Sequence, residues 1–151
     1  MQARKRIGLV AHDAKKAELL DWAREHRDQL AAHELWATGT TGAMLADALD
    51  LDIHRLKSGP LGGDQQMGAL IAEGRLDALI FFADPMSAMP HDVDVKALVR
   101  LSTVYNIVLA CNHTTADFVM GSPLFDTPYT PASTDYSSYL ERVVPSRIPE
   151  S

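Results

Sequence analysis

Five short apolar runs, separated by segments of helical length, constrain the fold of this chain more than any other feature. The runs cover residues 7–11, 34–37, 53–56, 78–82 and 107–111. The main segments predicted as helices cover residues 14–27, 42–49, 65–73 and 92–105. Repeated strand–helix units with nearly continuous apolar strands are typical of a parallel sheet that is buried on both faces. The sequence therefore predicts a three-layer α/β protein, with a mostly parallel five-stranded sheet and helices on both faces.

The last thirty residues differ from the rest of the chain. The 151 residues fit one domain, which we expect to form its α/β body over residues 1–121. The segment 122–151 holds five of the eight prolines and one short helical pattern over 136–143. We therefore predict a C-terminal tail that wraps the domain or a neighbouring subunit and adds no strand.

Composition excludes several classes of function. A net charge of −6 argues against general affinity for nucleic acid or for an anionic membrane. The single cysteine, Cys111, excludes an intramolecular disulfide, favours a reducing cytosol, and is predicted to be a small buried hydrophobe. No apolar run approaches the roughly 20 residues that span a bilayer. We therefore expect a soluble cytoplasmic protein.

Small, polar and titratable residues follow every predicted strand. Because ligands bind outside the carboxyl ends of the strands in open parallel sheets, these residues are expected to share one rim of the sheet. In chain order they are His12, Asp13 and Lys16, the segment 38–42, the segment 57–66, Asp84 with the segment 90–94, and the segment 112–114. Together they predict one binding site.

The segment Thr-Gly-Thr-Thr-Gly at 38–42 is the best candidate for binding phosphate. Its glycines allow close approach of the backbone, and a helix that begins at Gly42 would direct N–H groups and its positive end at an anion. The alternative is a tight turn with a threonine N-cap. The segment matches neither a Walker A loop nor a dinucleotide-binding glycine motif, so a monophosphate is the expected ligand.

Asp64 is the candidate base. It follows Gly62-Gly63 before a predicted helix, where a helix N-cap is the alternative interpretation. The glycine-rich approach over 58–65 favours a carboxylate that abstracts a proton from a carbon next to a carbonyl. His91 would then polarise that carbonyl, or else be a solvated loop residue.

Other titratable residues leave alternatives open. Asp84 is either a buried, hydrogen-bonded acid or a turn-former before Pro85, and Asp94 is a competing carboxylate. A metal site would have to combine His12, Asp13, His91 and Asp94, but no closely spaced His/Cys ligand pair supports it. Surface positions without a role are expected for His26, His33 and His54.

Several of these segments resemble the bacterial methylglyoxal synthases. The matching segments are VAHD at 10–13, ATGTTG at 37–42, SGPLGGDQQ at 58–66, FFADP at 81–85 and PHDVDVKAL at 90–98, together with Asn112 and TADF at 115–118. They occur in order over about three quarters of the chain. The Gly-Gly-Asp-Gln-Gln and Pro-His-Asp-x-Asp-Val-Lys segments are the most specific.

The resemblance implies an activity and roles for residues. The activity is a carbon–oxygen lyase reaction that converts dihydroxyacetone phosphate to methylglyoxal and inorganic phosphate without a metal or organic cofactor. Asp64 would be the general base and acid, and His91 would polarise the substrate carbonyl. Phosphate and substrate would be bound by His12, Lys16, Thr38, Gly39, Thr40, Thr41, Ser58 and Gly59. The supporting acids would be Asp13, Asp84 and Asp94.

The resemblance also implies an assembly. It is a homohexamer in which a basic residue of a neighbour's tail reaches the phosphate region, and Arg142 and Arg147 are both candidates. Inorganic phosphate is the product and a candidate allosteric inhibitor. The alternative function is a non-catalytic regulatory domain of the same fold that binds phosphate or a metabolite. Such domains usually belong to longer chains and do not need the pair Asp64 and His91.

Overall fold

The computed structural model describes residues 1–86 and 92–141. The strands are β1 (Arg6–Ala11), β2 (Glu34–Ala37), β3 (Ile53–Arg55), β4 (Ala78–Phe82) and β5 (Val108–Ala110). The α-helices in these ranges are α1 (Lys16–Glu25), α2 (Arg27–Ala31), α3 (Gly39–Leu49), α4 (Gly63–Ala72), α5 (Asp92–Val104), α6 (His113–Gly121) and α7 (Ser137–Leu140). Two 3₁₀ turns, Asp13–Lys15 and Gly59–Leu61, precede α1 and α4.

The strands form one parallel sheet in the order β3-β2-β1-β4-β5. The chain moves outward from β1 to β3 on one side, then crosses back to β4 and continues to β5. The direction of winding therefore reverses between β1 and β4, which is where doubly wound sheets bind ligands. The predicted three-layer α/β fold is confirmed, and the sheet is parallel throughout.

Buried side chains cover both faces of the sheet. Leu9 of β1 packs with Trp22 of α1 and Leu45 of α3 in one cluster. Its neighbour Val10 points to the opposite face and packs with Met67 of α4 in a second cluster. Burying each such side chain contributes about 1.5–3 kcal/mol. The two clusters hold the helices against the sheet, and so fix the loops at the carboxyl ends of the strands.

Three local predictions are wrong. Helix α3 begins at Gly39, three residues before the predicted start at Gly42. Cys111 is exposed because β5 ends at Ala110 and the chain leaves the sheet there. His33 is buried, with 5% of its surface exposed, because the ring of Phe125 and the carboxylate of Asp126 cover it.

Residues 122–132 cross the amino ends of the strands, opposite the rim with the predicted site. The buried ammonium group of Lys5 donates hydrogen bonds of 2.6 Å to the carbonyl oxygens of Gln2 and Thr127. The backbone N–H of Tyr129 donates to Met1, and the side chain of Asn106 donates to the Ala132 carbonyl. This segment is therefore tied to its own domain; contact with a neighbouring subunit stays a prediction.

Within residues 1–86 and 92–141, no helix combines the length and the apolar character needed to cross a membrane.

The burial of His33 makes stability depend on pH. Burial lowers the pKa of His33 below its ordinary value, and this effect outweighs the hydrogen bond with Asp126, which raises it. The unfolded chain therefore takes up the proton first as the pH falls below about 6.5, so the free energy of unfolding decreases from that pH downward.

We expect His33→Gln to flatten this dependence between pH 7 and pH 5, measured by chemical denaturation at several pH values. His54→Gln, which changes an exposed ring, is the control and should follow the wild-type slope. An unchanged slope in His33→Gln would show that other groups cause the dependence.

Candidate functional site

A cavity of about 350 Å³ opens at the carboxyl ends of β1, β2 and β3. It is lined by Val10, Ala11, His12, Asp13, Lys16, Thr38, Thr40, Thr41, Ser58, Gly59, Pro60, Asp64 and Phe81. The structure thus brings together most of the residues predicted for phosphate binding and the predicted base. Gly39, also predicted, is the first residue of α3 beside this cavity.

The backbone of Lys57 and Ser58 runs between the first turns of α3 and α4. The Gly39 N–H donates to the Lys57 carbonyl oxygen at 3.1 Å, and a Cβ atom on Gly39 would lie 2.8 Å from the Ser58 nitrogen. A Cβ atom on Gly63 would overlap the Lys57 carbonyl oxygen. Both helices can therefore begin this close to the Lys57–Ser58 backbone only because glycine occupies these two positions.

Two further hydrogen bonds fix this segment. The Gln66 side-chain oxygen accepts from the Lys57 N–H at 2.8 Å, and the Ser58 carbonyl accepts from the Gly63 N–H at 2.9 Å. Sequence analysis did not give Gln66 a structural role. Its position three residues after Gly63 places it on the first turn of α4, where it can reach back to the loop.

The first turn of α3 lines the cavity with Thr40 and Thr41. Thr38 is the N-cap, but its side chain makes no capping hydrogen bond. Thr41 is 1% exposed, and its hydroxyl has no hydrogen-bond partner among the described residues. A buried hydroxyl without a partner costs about 1–3 kcal/mol, so such groups in native proteins usually serve a ligand or a water. With the positive end of the helix dipole, this turn suits an anion.

Lys16 supplies a positive charge next to this turn. Its ammonium group donates to the Thr40 hydroxyl at 2.7 Å and to an Asp13 carboxylate oxygen at 2.6 Å. The hydrogen bond from Lys16, with the attraction of its charge, lowers the pKa of Asp13 below the ordinary value. Asp13 is therefore ionised at neutral pH, and it holds the lysine at the mouth of the cavity.

Asp64 occupies the second position of α4, since the helix begins at Gly63 and Gly62 is its N-cap. The alternative interpretation of Asp64 as an N-cap is therefore wrong. Its carboxylate oxygens lie 3.3 Å and 3.7 Å from the place where a Cβ atom on Gly59 would sit. The carboxylate thus faces the Ser58–Gly59 backbone on the wall of the cavity, which the first turn of α3 also lines.

His12 lies at the point where the winding of the sheet reverses. Its Nδ1 accepts a hydrogen bond from the Asp84 backbone N–H at 2.8 Å, and its ring meets the edge of Phe81. The carboxylate of Asp84 accepts from the Met86 N–H at 3.0 Å. Of the two interpretations left open for Asp84, the structure supports the turn-former.

Asp94 lies outside the phosphate end of the site. Together with Asp64 and Gln65 it lines a neighbouring groove of about 320 Å³ between α4 and α5. The Gln65 side-chain amide donates to the Asp94 carboxylate at 2.9 Å. The other predicted site residues His91, Arg142 and Arg147 lie outside the described residues.

The floor of the cavity contains apolar residues that sequence analysis missed. Val10 and Phe81 are register partners on β1 and β4, so their side chains share one face of the sheet. They could have been predicted, because side chains alternate between the two faces along each strand. In the described part of the chain, no group of three or more His, Cys, Asp or Glu side chains is arranged to hold a metal ion.

Comparison with known proteins gives matches over nearly the whole chain. The model of the MGS-like domain matches residues 18–111. The methylglyoxal synthase of Cellvibrio japonicus (strain Ueda107) is 56% identical over 142 residues, which cover 94% of this chain and 92% of that protein. The methylglyoxal synthase of Yersinia pestis (strain Pestoides F) is 56% identical over 140 residues, covering 93% and 91%. The crystal structure of methylglyoxal synthase from Elizabethkingia anophelis NUHP1 superposes with a TM-score of 0.91 at 48% identity, over 97% of each chain.

The close approach at Gly63 can be tested with Gly63→Ala. The added methyl group must displace the Lys57 carbonyl, and we expect a loss of about 1–3 kcal/mol in the free energy of unfolding. We also expect at least tenfold weaker binding of inorganic phosphate, because the loop between the two helices moves. Calorimetry and chemical denaturation measure both effects. Gly121→Ala is the matched control, since beyond its chain neighbours and its own helix no described residue lies within 4 Å of its added Cβ. Equal effects of the two substitutions would contradict the assignment.

Proposed function

This chain belongs to the methylglyoxal synthase family, and we propose that its cavity binds dihydroxyacetone phosphate and eliminates the phosphate to give methylglyoxal. The protein is an enzyme, a carbon–oxygen lyase that acts on a small phosphorylated substrate. One observation supports this cavity as the place of the reaction. The Thr41 hydroxyl in the first turn of α3 and the Asp64 carboxylate of α4 line the same cavity, and this hydroxyl has no hydrogen-bond partner within the described ranges.

The substrate phosphate would bind at the first turn of α3. There it would accept hydrogen bonds from the Thr41 hydroxyl and from the backbone N–H groups of the turn, with the Lys16 ammonium group alongside. Dihydroxyacetone phosphate fits because its phosphate and its hydroxymethyl group stand at opposite ends of a three-carbon chain. Binding the first at α3 brings the second toward Asp64.

Asp64 would act as the base. Its carboxylate removes a proton from the hydroxymethyl carbon, and the C–H electron pair forms the carbon–carbon double bond of an enediolate as the carbonyl oxygen gains negative charge. His91, which follows β4 in the sequence, would donate to that oxygen. This role rests on the family resemblance, because His91 lies outside the described residues.

Phosphate then leaves from the carbon on the other side of the original carbonyl. The hydroxyl group on the former hydroxymethyl carbon becomes an aldehyde and gives its proton to the leaving phosphate. The enediolate double bond shifts to the carbon that bears the phosphate, the C–O bond there breaks, and inorganic phosphate carries away that electron pair. Asp64 returns its proton to the central oxygen. The enol that remains tautomerises to methylglyoxal. This elimination requires the C–O bond to stand perpendicular to the enediolate plane, where it overlaps the π system. The donors at α3 would hold the phosphate in that orientation.

The wider setting follows from the family resemblance. We propose a cytoplasmic homohexamer in which a tail arginine, Arg142 or Arg147, reaches a neighbour's phosphate region. Inorganic phosphate would be both product and allosteric inhibitor, the reaction would bypass part of glycolysis, and no metal or organic cofactor would be needed.

The activity is tested by incubating the purified protein with dihydroxyacetone phosphate in the presence of EDTA. The release of methylglyoxal and of inorganic phosphate is measured in the same assay.

The alternative predicted from the sequence, a regulatory phosphate-binding domain of the same fold, disagrees with the enzyme relatives. It would bind phosphate at α3 but would not need a carboxylate at position 64. Phosphate binding without release of methylglyoxal in the assay above would favour it.

We expect Asp64→Asn to lower kcat by about 10²–10⁴, the usual contribution of a positioned base, with KM changed less than about threefold. The amide has the shape of the carboxylate but cannot accept the proton. Steady-state kinetics of methylglyoxal formation provide the measurement. Asp94→Asn is the comparison variant, and substantial activity in Asp64→Asn with loss in Asp94→Asn would move the role of base to Asp94.

Thr41→Val tests the orientation of the phosphate. Because the hydroxyl has no partner among the described residues, its removal should leave the free energy of unfolding unchanged or slightly higher. We expect roughly tenfold weaker phosphate binding and a larger share of glyceraldehyde 3-phosphate, formed when the enediolate is protonated before phosphate leaves. Thr41→Ser should retain the wild-type product ratio. Product analysis that shows the same ratio and rate in both variants would refute the orientation role.

A further inference from the structure

The ring of His12 is held at one nitrogen by main chain. The backbone N–H of His12 donates to the Phe82 carbonyl at 3.1 Å, which continues the pairing of β1 and β4 beyond the end of the sheet. On the other side, the Asp84 backbone N–H donates to His12 Nδ1 at 2.8 Å. The edge of Phe81 packs against the same ring, with centroids 5.1 Å apart. The imidazole therefore has one orientation, and it lines the cavity.

These contacts determine which ring nitrogen carries the proton. A nitrogen that accepts a hydrogen bond has no proton of its own, so the neutral ring carries its proton on Nε2. No hydrogen bond of Nε2 to another described residue is present. We infer that Asp84 is a positioning residue, which fixes His12 as the Nε2–H tautomer and so makes it a hydrogen-bond donor to the phosphorylated substrate. This inference deepens the proposed function and rests on it for the identity of the substrate.

The carboxylate of Asp84 has a task of its own in this arrangement. Its Oδ1 accepts from the Met86 N–H at 3.0 Å and so closes a turn at Pro85. Asp84 is half-buried and is not among the residues that line the cavity. The side chain therefore shapes the backbone that presents the Asp84 N–H to His12. An asparagine can close the same turn with its amide oxygen, whereas an alanine cannot.

The tautomer matters because the substrate is an anion. Phosphate and enediolate oxygens accept hydrogen bonds, and a neutral Nε2–H offers them a donor. The other tautomer would turn a nitrogen lone pair toward the same negative charge. Fixing the proton on Nε2 thus favours binding of the anion, and it excludes His12 in this form as a base at Nε2.

The test combines spectroscopy with kinetics. In ¹⁵N-labelled wild-type protein at about pH 8, above the ordinary imidazole pKa of about 6.5, the His12 nitrogens should give the pattern of an Nε2–H ring. Asp84→Ala should show a mixture of both tautomers and a KM raised about five- to tenfold, with a smaller change in kcat. Asp84→Asn should restore the single tautomer and a KM within about threefold of wild type. Asp21→Ala, which removes an exposed acid paired with Arg24, is the control.

Three results would overturn the inference. The first is a proton on His12 Nδ1 in the wild type, and the second is an unchanged tautomer in Asp84→Ala. The third is an equal kinetic loss in Asp84→Ala and Asp84→Asn, which would show that the acid acts through its charge or its proton. The wild-type spectrum needs neither variant to fold. It also separates this inference from the proposed function, because an Nε2–H ring in a protein that forms no methylglyoxal would support the tautomer and refute the activity.

Discussion

The site depends on one piece of backbone, Lys57–Ser58, which is held between the first turns of α3 and α4. The Lys57 carbonyl accepts from Gly39 on one side and lies against Gly63 on the other. An added Cβ atom would meet the Ser58 nitrogen at Gly39 and the Lys57 carbonyl oxygen at Gly63, so neither glycine can gain a side chain without displacing this backbone. Helix α3 brings N–H groups and the Thr41 hydroxyl to the cavity, and α4 brings the Asp64 carboxylate. The hydrogen bonds to Gln66 and Gly63 hold the segment in place. The main-chain contacts at Gly39 and Gly63, together with the Gln66 side chain, thus fix the proposed phosphate-binding turn and the proposed base relative to one another.

This arrangement separates charges that would otherwise repel. In the proposed reaction, an anionic substrate would bind near Asp64, whose carboxylate would have to be ionised to act as the base. The dipole of α3 and the ammonium group of Lys16 place positive potential at the first turn of α3, whereas the carboxylate lies against the Ser58–Gly59 backbone. Asp13 keeps Lys16 at the mouth and is itself largely exposed, where water screens its charge. His12 adds a donor without adding another negative group. In the proposed reaction, this distribution of charge orients the substrate with its phosphate at the first turn of α3.

The fold was predictable because its signals are local. The β4 run at 78–82 is buried on both faces, whereas β2 at 34–37 buries Leu35 and Ala37 and leaves Glu34 and Trp36 partly exposed. Both strands have the predicted bounds. Asp64 and all of the predicted phosphate-binding residues except Gly39 line one cavity, because carboxyl ends of parallel strands meet at one edge. The early start of α3 was not predictable, since Gly39 is there for its contact with Ser58, nineteen positions along the chain. The burial of His33 likewise depends on Phe125 and Asp126, and local sequence contains no sign of them.

The attachment of residues 127–132 has a consequence for how such chains diverge. Lys5 bonds to the Thr127 carbonyl, Met1 accepts from the Tyr129 N–H, and Asn106 bonds to the Ala132 carbonyl. In each case the tail contributes a peptide group, which every residue except proline supplies in full. Substitutions there can accumulate without loss of attachment, so this stretch is free to drift in evolution while its path stays constant. Alignments of related chains would then lose their signal in a region where the structures still superpose.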